Sequence, residues 1–377
     1  MTMGEPSTWY SRPAAKRWRT TAPGSGLDFH RSLPGHVPTP LVELPSLATE
    51  LRVGRVLLKD ESSRLGLPAF KILGASWAVC RALCLRSGED PAGMTLSRLA
   101  ALVRAGSGST PQSVLVTATD GNHGRAIARM ARLLGVEARI HVPAGLGVAA
   151  LEGIRGEGAR LVEEEAVYDD VVARAAASVE GSERDVLIQD TAWEGYTQAP
   201  QWIVDGYTTL FREIDDALQA QGVSPDLLAC PVGVGSLAQA LVEHYRSRPG
   251  PGPALLGVEP DSAACLTRSL QAGAPVTVDT SVPTLMAGLN CGSVSSLGWP
   301  LLSAGMDAAV GVTEGQCRRG VQDLEELDQD AGPCGAAALA GTRNALAVTA
   351  RRRELGVTED SVVVLVNTEG RAANPLV

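Results

Sequence analysis

The sequence predicts an α/β protein of two domains, each built on a parallel sheet covered by helices on both faces. Strand and helix patterns alternate from about residue 114 to 188, and the rhythm returns from about 227 to 366. Strands joined through helices pair in parallel and bury both faces. The chain, at 377 residues, is also too long for one small core. Its 45% apolar content, with only 4% aromatic residues, is that of a globular chain rich in Ala, Val, Leu and Gly.

Residues 1 to about 25 are polar and rich in Pro, Ser and Arg, and read as an arm on the surface. A short helix follows around Leu44 to Leu51, then a strand at Val53 to Leu58. Phe70 to Leu85 has helical periodicity, with Leu73, Trp77, Cys80 and Leu85 toward one face. Strands are predicted at 114–118, 138–142, 159–162 and 186–188, with helices at 124–134, 149–157 and 168–179 between them. A long helix over 202–219 precedes strands at 227–231 and 255–258 and a helix at 236–245. Further helices are expected at 263–270, 315–327 and 336–352, and a buried strand at 362–366. With no repeat or low-complexity linker, topology alone sets the domains. Residues 1–75 and 200–377 form the large one, 76–199 the small one, and a substrate cleft between them would follow.

A formal charge of -9 argues against nucleic acid or an anionic membrane as partner. No run of eighteen apolar residues spans a membrane. The charged start (Glu5, Arg12, Lys16, Arg17, Arg19) lacks the apolar core of a secretory signal, so the cytoplasm is expected. Seven scattered cysteines and five histidines match no metal-ligand spacing, and no metal is expected.

Four stretches carry chemistry. Lys71 stands among apolar and small residues, where an ammonium is poorly hydrated and a neutral amine becomes a nucleophile toward aldehydes. Gly233-Val234-Gly235-Ser236-Leu237 follows a strand and opens a helix, a cradle for one phosphate; a dinucleotide fingerprint and a Walker lysine are both absent. Thr117 to Gly124 also joins strand to helix and sets Asp120 and Asn122 at the carboxyl end of the sheet; His123 is assigned no role. Asp190 and Thr368 occupy the same topological position after two further strands. Taken singly, Asp120, Asn122 and Asp190 also read as helix caps or turn residues, and the glycines as a plain turn. Taken together they are the parts that hold pyridoxal 5'-phosphate as a Schiff base.

On those residues the chain resembles the fold-type II (tryptophan-synthase β-like) pyridoxal-phosphate enzymes, and within them the diaminopropionate ammonia-lyase family. The resemblance runs from about Phe29 to Gly370. It includes Phe29-His30-Arg31-Ser32-Leu33-Pro34, Lys59-Asp60-Glu61-Ser62, Ala69-Phe70-Lys71 and Asp120-Gly121-Asn122-His123-Gly124. It continues through Gln189-Asp190-Thr191-Ala192-Trp193, Gly233-Val234-Gly235-Ser236, Met286-Ala287-Gly288-Leu289 and Asn367-Thr368-Glu369-Gly370.

The resemblance implies a Schiff-base role for Lys71, with Phe70 behind the cofactor ring and Asn122 on its hydroxyl. It implies phosphate binding by Gly233, Val234, Gly235, Ser236 and Leu237, and Thr368 near the pyridine nitrogen. Asp120 and Asp190 would handle protons, the latter at the substrate's extra amine. The implied reaction is α,β-elimination of 2,3-diaminopropionate to pyruvate and ammonia, by a homodimer. Cys265 and Cys291 match positions where family members carry a nearby pair; free thiols are expected in a reducing cytoplasm. Two departures fall at the cofactor edge: Pro333 stands where the family pattern has Glu, and Arg371-Ala372 where it has Asp-Thr. They leave open β-replacement or dehydration of a related amino acid, and a non-catalytic ligand-binding relative.

Overall fold

The computed structural model describes residues 8–106, 113–119 and 121–376, and its chain divides into two compact units. Of the described residues, the larger unit holds those up to Pro23, Thr39–Ser63 and Leu210 onward; the smaller holds Gly24–Pro38 and Arg64–Thr209.

In chain order the strands are β1 (Trp9–Ser11), β2 (Leu41–Glu43), β3 (Arg55–Asp60), β4 (Val114–Ala118), β5 (Glu137–Pro143), β6 (Arg160–Glu164), β7 (Asp185–Leu187), β8 (Leu227–Pro231), β9 (Ala254–Pro260), β10 (Ala308–Val312) and β11 (Val362–Asn367). The sheet of the larger unit runs β1-β10-β9-β8-β11-β3-β2. Its five central strands are parallel, and the short edge strands β1 and β2 pair antiparallel. The parallel expectation therefore holds for the interior, with a brief strand closing each edge. Helix Pro333–Leu346 packs on β8 through β11. Half of its residues are Ala or Gly, and a Cβ at Gly341 would meet Val258 at 2.4 Å, so small side chains let its backbone lie close to the sheet. The single helix expected over 336–352 is interrupted by extended Val348 (φ -101°, ψ 114°) before Thr349–Leu355.

The charged run Lys59-Asp60-Glu61 ends β3, yet Lys59 and Glu61 are buried. Lys59 Nζ meets Glu213 Oε2 at 2.7 Å and the Thr39 carbonyl at 2.8 Å, while the Thr39 hydroxyl donates to Glu61.

The smaller unit has a four-stranded, fully parallel sheet in the order β6-β5-β4-β7. Helices Asn122–Leu134 and Tyr168–Ala177 pack on it. Helix Leu96–Gly106 there, and β1, β2, β10 and helix Trp299–Gly305 in the larger unit, are additions to the elements expected from sequence. No described helix is long and apolar enough to cross a membrane.

Candidate active site

Lys71 caps the N-terminus of helix Ile72–Ser87, and two anchors set its place in the smaller unit. Before it, the chain turns tightly through Leu65 (φ 52°) and Gly66 (φ 71°). Arg129 secures that turn: Nη1 donates to the Leu65 carbonyl at 2.9 Å, and Nε and Nη2 grip Glu157 at 2.6 and 2.8 Å. After it, helix Ile72–Ser87 meets the 198–209 part of helix Gln198–Gln219 at glycines on both sides. A Cβ at Gly206 would lie 2.4 Å from the Leu73 carbonyl oxygen, and one at Gly74 2.6 Å from Ile203 and Tyr207. Buried His30 holds the same turn of helix, Nε2 donating to the Leu73 carbonyl at 2.9 Å and Nδ1 bonding Thr209 at 2.8 Å.

The apolar surroundings expected of Lys71 are only half of its environment. Phe70 is buried, its ring 4.7 Å from that of Tyr207, and Lys71 Nζ lies 5.7 Å from the Phe70 centroid. Nζ also meets Asp190 Oδ2 at 2.8 Å, with the lysine side chain 27% exposed. The ammonium is therefore balanced by a carboxylate rather than left without one. Burial pushes the Asp190 carboxyl up, but the Lys71 charge and its hydrogen bond prevail and hold it at about 2.

Asp190 follows β7 and the 119–124 loop follows β4; the two strands are parallel neighbours, so both loops leave one edge of the sheet. Thr119 shapes its loop, its hydroxyl accepting the Gly121 and Gly124 N–H groups at 3.0 Å each. Half-buried Asn122 begins helix Asn122–Leu134. Asp120 lies outside the described residues. His123 Nε2 donates to the Ile188 carbonyl at 2.8 Å, which leaves Nδ1 as an acceptor: buried, without a hydrogen-bond partner, and 4.0 Å from Asp190 Oδ2. Burial keeps this imidazole below its usual range despite the adjacent carboxylate. Burial likewise pushes the Tyr207 phenol up to about 12.

In the larger unit β8 and β11 are parallel neighbours, so Gly233–Leu237 and Thr368 also leave a common sheet edge. Gly235 takes φ +99°, and a Cβ at Gly233 would lie 2.9 Å from the Gly288 carbonyl oxygen, so both positions need glycine. Helix Ser236–Arg246 starts there, and its first N–H groups have no partner within the helix. The Thr368 hydroxyl is buried without a hydrogen-bond partner. Cys265 and Cys291 flank the loop: Cys265 Sγ donates to the Gly233 carbonyl at 3.8 Å, and Cys291 Sγ would lie 3.1 Å from a Cβ at Gly233.

Both departures have structural roles. Pro333 is the first residue of its helix, where a missing N–H costs nothing. Arg371 turns to Asp330 and Glu325 at the surface.

Phe70, Lys71 and Asp190 are thus brought into contact, and the remaining described site residues follow strand ends. Sequence reasoning assigned nothing to His123, Gln189 or Tyr207. The first two lie inside or beside recognised motifs, whereas Tyr207 carries no signal beyond helical spacing. Among the described residues no group of three or more His, Cys, Asp or Glu is arranged to hold a metal.

The family described as pyridoxal-phosphate dependent enzyme matches residues 33–369. The diaminopropionate ammonia-lyase of Escherichia coli strain K12 is 32% identical over 376 residues, covering 97% of this chain and 91% of that protein. The crystal structure of the Escherichia coli lyase with D-serine superposes with a TM-score of 0.86 at 30% identity, covering 97% of this chain and 95% of the other. Its complex with an aminoacrylate-PLP azomethine reaction intermediate gives 0.81 at 31% identity, over 96% and 90%. The chain belongs to the fold-type II pyridoxal-phosphate-dependent enzymes, in the diaminopropionate ammonia-lyase family.

Proposed function

We propose that this protein is a pyridoxal-phosphate-dependent carbon–nitrogen lyase acting on 2,3-diaminopropionate or a close β-substituted amino acid. One molecule of 2,3-diaminopropionate and one of water would give pyruvate and two of ammonia. The observation that carries the reading is the 2.8 Å pair between Lys71 Nζ and Asp190 Oδ2, because amino-acid synthases of the same fold do not require that carboxylate.

The residues fit the cofactor. Gly233 and Gly235 form a cradle that a Cβ would fill, and the partnerless Thr368 hydroxyl offers the neutral partner a pyridine nitrogen needs. Asn122 would bond the ring hydroxyl and Phe70 would back the ring. When bound, pyridoxal phosphate supplies an electrophilic carbon for an amine and an electron sink for charge developing at the substrate Cα.

The chain's own residues then manage protons. With Lys71 cationic, Asp190 stays ionised and holds Nζ in place. Any step that removes the charge from Nζ also removes the main compensation for Asp190's burial, and burial then shifts its carboxyl upward, toward holding a proton. Asp190 thereby becomes an acid able to protonate a departing β-amine, while a neutral Lys71 Nζ is the base at Cα. From the family resemblance we assign Asp120 as a second base. Each such group is worth about 10²–10⁴-fold in rate. We place the enzyme in the cytoplasm as a homodimer, a state that light scattering of the purified protein would check.

The test is to incubate purified holoenzyme with each enantiomer of 2,3-diaminopropionate and assay pyruvate. Product is expected from at least one and none from Lys71→Ala; no product from either enantiomer removes the substrate.

A further inference from the structure

Strand β7 ends at Leu187, and the bonds just beyond it are unusual. Ile188 still donates to the Val116 carbonyl at 2.9 Å, but the Gln189 N–H turns to the Tyr196 phenol oxygen at 3.0 Å, whose hydroxyl donates to the Leu187 carbonyl at 2.9 Å. The Gln189 side chain, fully buried, crosses to β4 in place of the main chain. Its Oε1 accepts the Ala118 N–H at 2.9 Å and lies 3.0 Å from the Thr117 hydroxyl. A main-chain N–H only donates, so the amide cannot be reversed without setting donor against donor in a dry site. Its NH2 therefore faces outward from β4, to the Tyr168 oxygen at 3.2 Å and Asp190 Oδ1 at 3.3 Å.

With one carboxylate oxygen held there, the other is left at Lys71. We propose that Gln189 is a positioning residue for the elimination: its locked amide fixes the rotation of the Asp190 carboxylate so that Oδ2 meets the Lys71 nitrogen. This rests on the role given to Asp190 above. The groups facing that carboxylate are Lys71, His123, Tyr196, Tyr207 and the Gln189 amide, with Asp120 outside the described residues.

Two variants of the holoenzyme test it. Gln189→Leu removes the NH2 group; kcat is expected to fall about 10- to 100-fold with KM changed less than about threefold, as befits lost orientation rather than lost binding. Gln189→Leu also strips the acceptor from Ala118 and can weaken folding, so Gln189→Glu is the second variant. It keeps that acceptor and sets a second carboxyl against Asp190. Like charges in contact share one proton, so the acid limb of the kcat pH profile, and the pH at which the visible cofactor band changes, should both rise by about one unit or more. Parent-like profiles and bands in Gln189→Glu, or an undiminished kcat in a folded Gln189→Leu, would overturn the inference. If Asp190→Asn is inactive while both Gln189 variants behave as parent, this inference alone falls. If Asp190→Asn is itself fully active, the role of Asp190 falls and takes this inference with it.

Discussion

Replacing Gly206 by Ala perturbs the seam that places Lys71 without touching the lysine. A Cβ there lies 2.4 Å from the Leu73 carbonyl oxygen, 2.9 Å from Gly74 Cα and 3.0 Å from the Leu73 carbonyl carbon. Ordinary contact needs about 3.5 Å, so the two helices must part by up to about an ångström against atoms of rigid backbone. Overpacking of this kind costs about 1–3 kcal/mol. Alanine's better helix propensity returns about 0.5–1 kcal/mol. The clash wins, leaving a net loss of about 1–2 kcal/mol and a melting midpoint lower by roughly 2–6 °C. Lys71 should shift with its helix, and misplacement on this scale lowers kcat/KM by about tenfold or more. Exposed Gly315, whose Cβ would come no nearer than 3.8 Å to Arg319, is the control: Gly315→Ala should not lower the melting midpoint. Calorimetry and pyruvate release read both. A Gly206→Ala protein with parent melting and parent kcat/KM would refute the reasoning.

Three further outcomes follow from the site and its supports. In the apoprotein the depressed Asp190 carboxyl contributes roughly 2 kcal/mol, fully present above its unfolded value of 3.8 and lost as pH falls through about 2. The melting gap between parent and Asp190→Asn should therefore be full from about pH 5 upward and close on acidification. Glu213→Leu takes the Glu213 carboxylate from the buried Lys59 ammonium, and urea unfolding should reveal a loss of up to about 3–5 kcal/mol. Thr368→Val removes a buried hydroxyl that has no partner, so the apoprotein should be no less stable than parent, and more stable by up to about 1–3 kcal/mol, while kcat/KM drops; equal loss of both would make Thr368 structural.

The parallel interior and the motif positions were legible because each motif sits at the end of a short apolar run, and a period of two or of 3.6 is visible locally. Val114–Ala118 and Leu227–Pro231 coincide with their predicted strands. Strand β10, Ala-Ala-Val-Gly-Val, was not legible: with so few bulky residues its pattern resembles a buried helix as much as a strand. The burial of Lys59 and Glu61 could not be read from a charged run, since it depends on Thr39 and Glu213 arriving from elsewhere. Asp190 was named from its place after a strand, but the direction of its carboxylate depends on the register of β4 against β7, which sets Gln189 across from Ala118. Gly206 and Tyr207 fall within one unbroken helical pattern, and only the second helix makes them meaningful.

The three residues of β1 do more than lengthen a sheet. They occupy the free hydrogen-bonding edge of β10, a strand buried along its whole length. Clipping the chain after Ser11 would bare an uncharged row of amides along β10, open to pairing with the same row on another molecule. Shelf life and tag design for this enzyme therefore turn on keeping Trp9–Ser11 in place, and self-association after limited proteolysis, rather than loss of turnover, should be the earliest sign of damage.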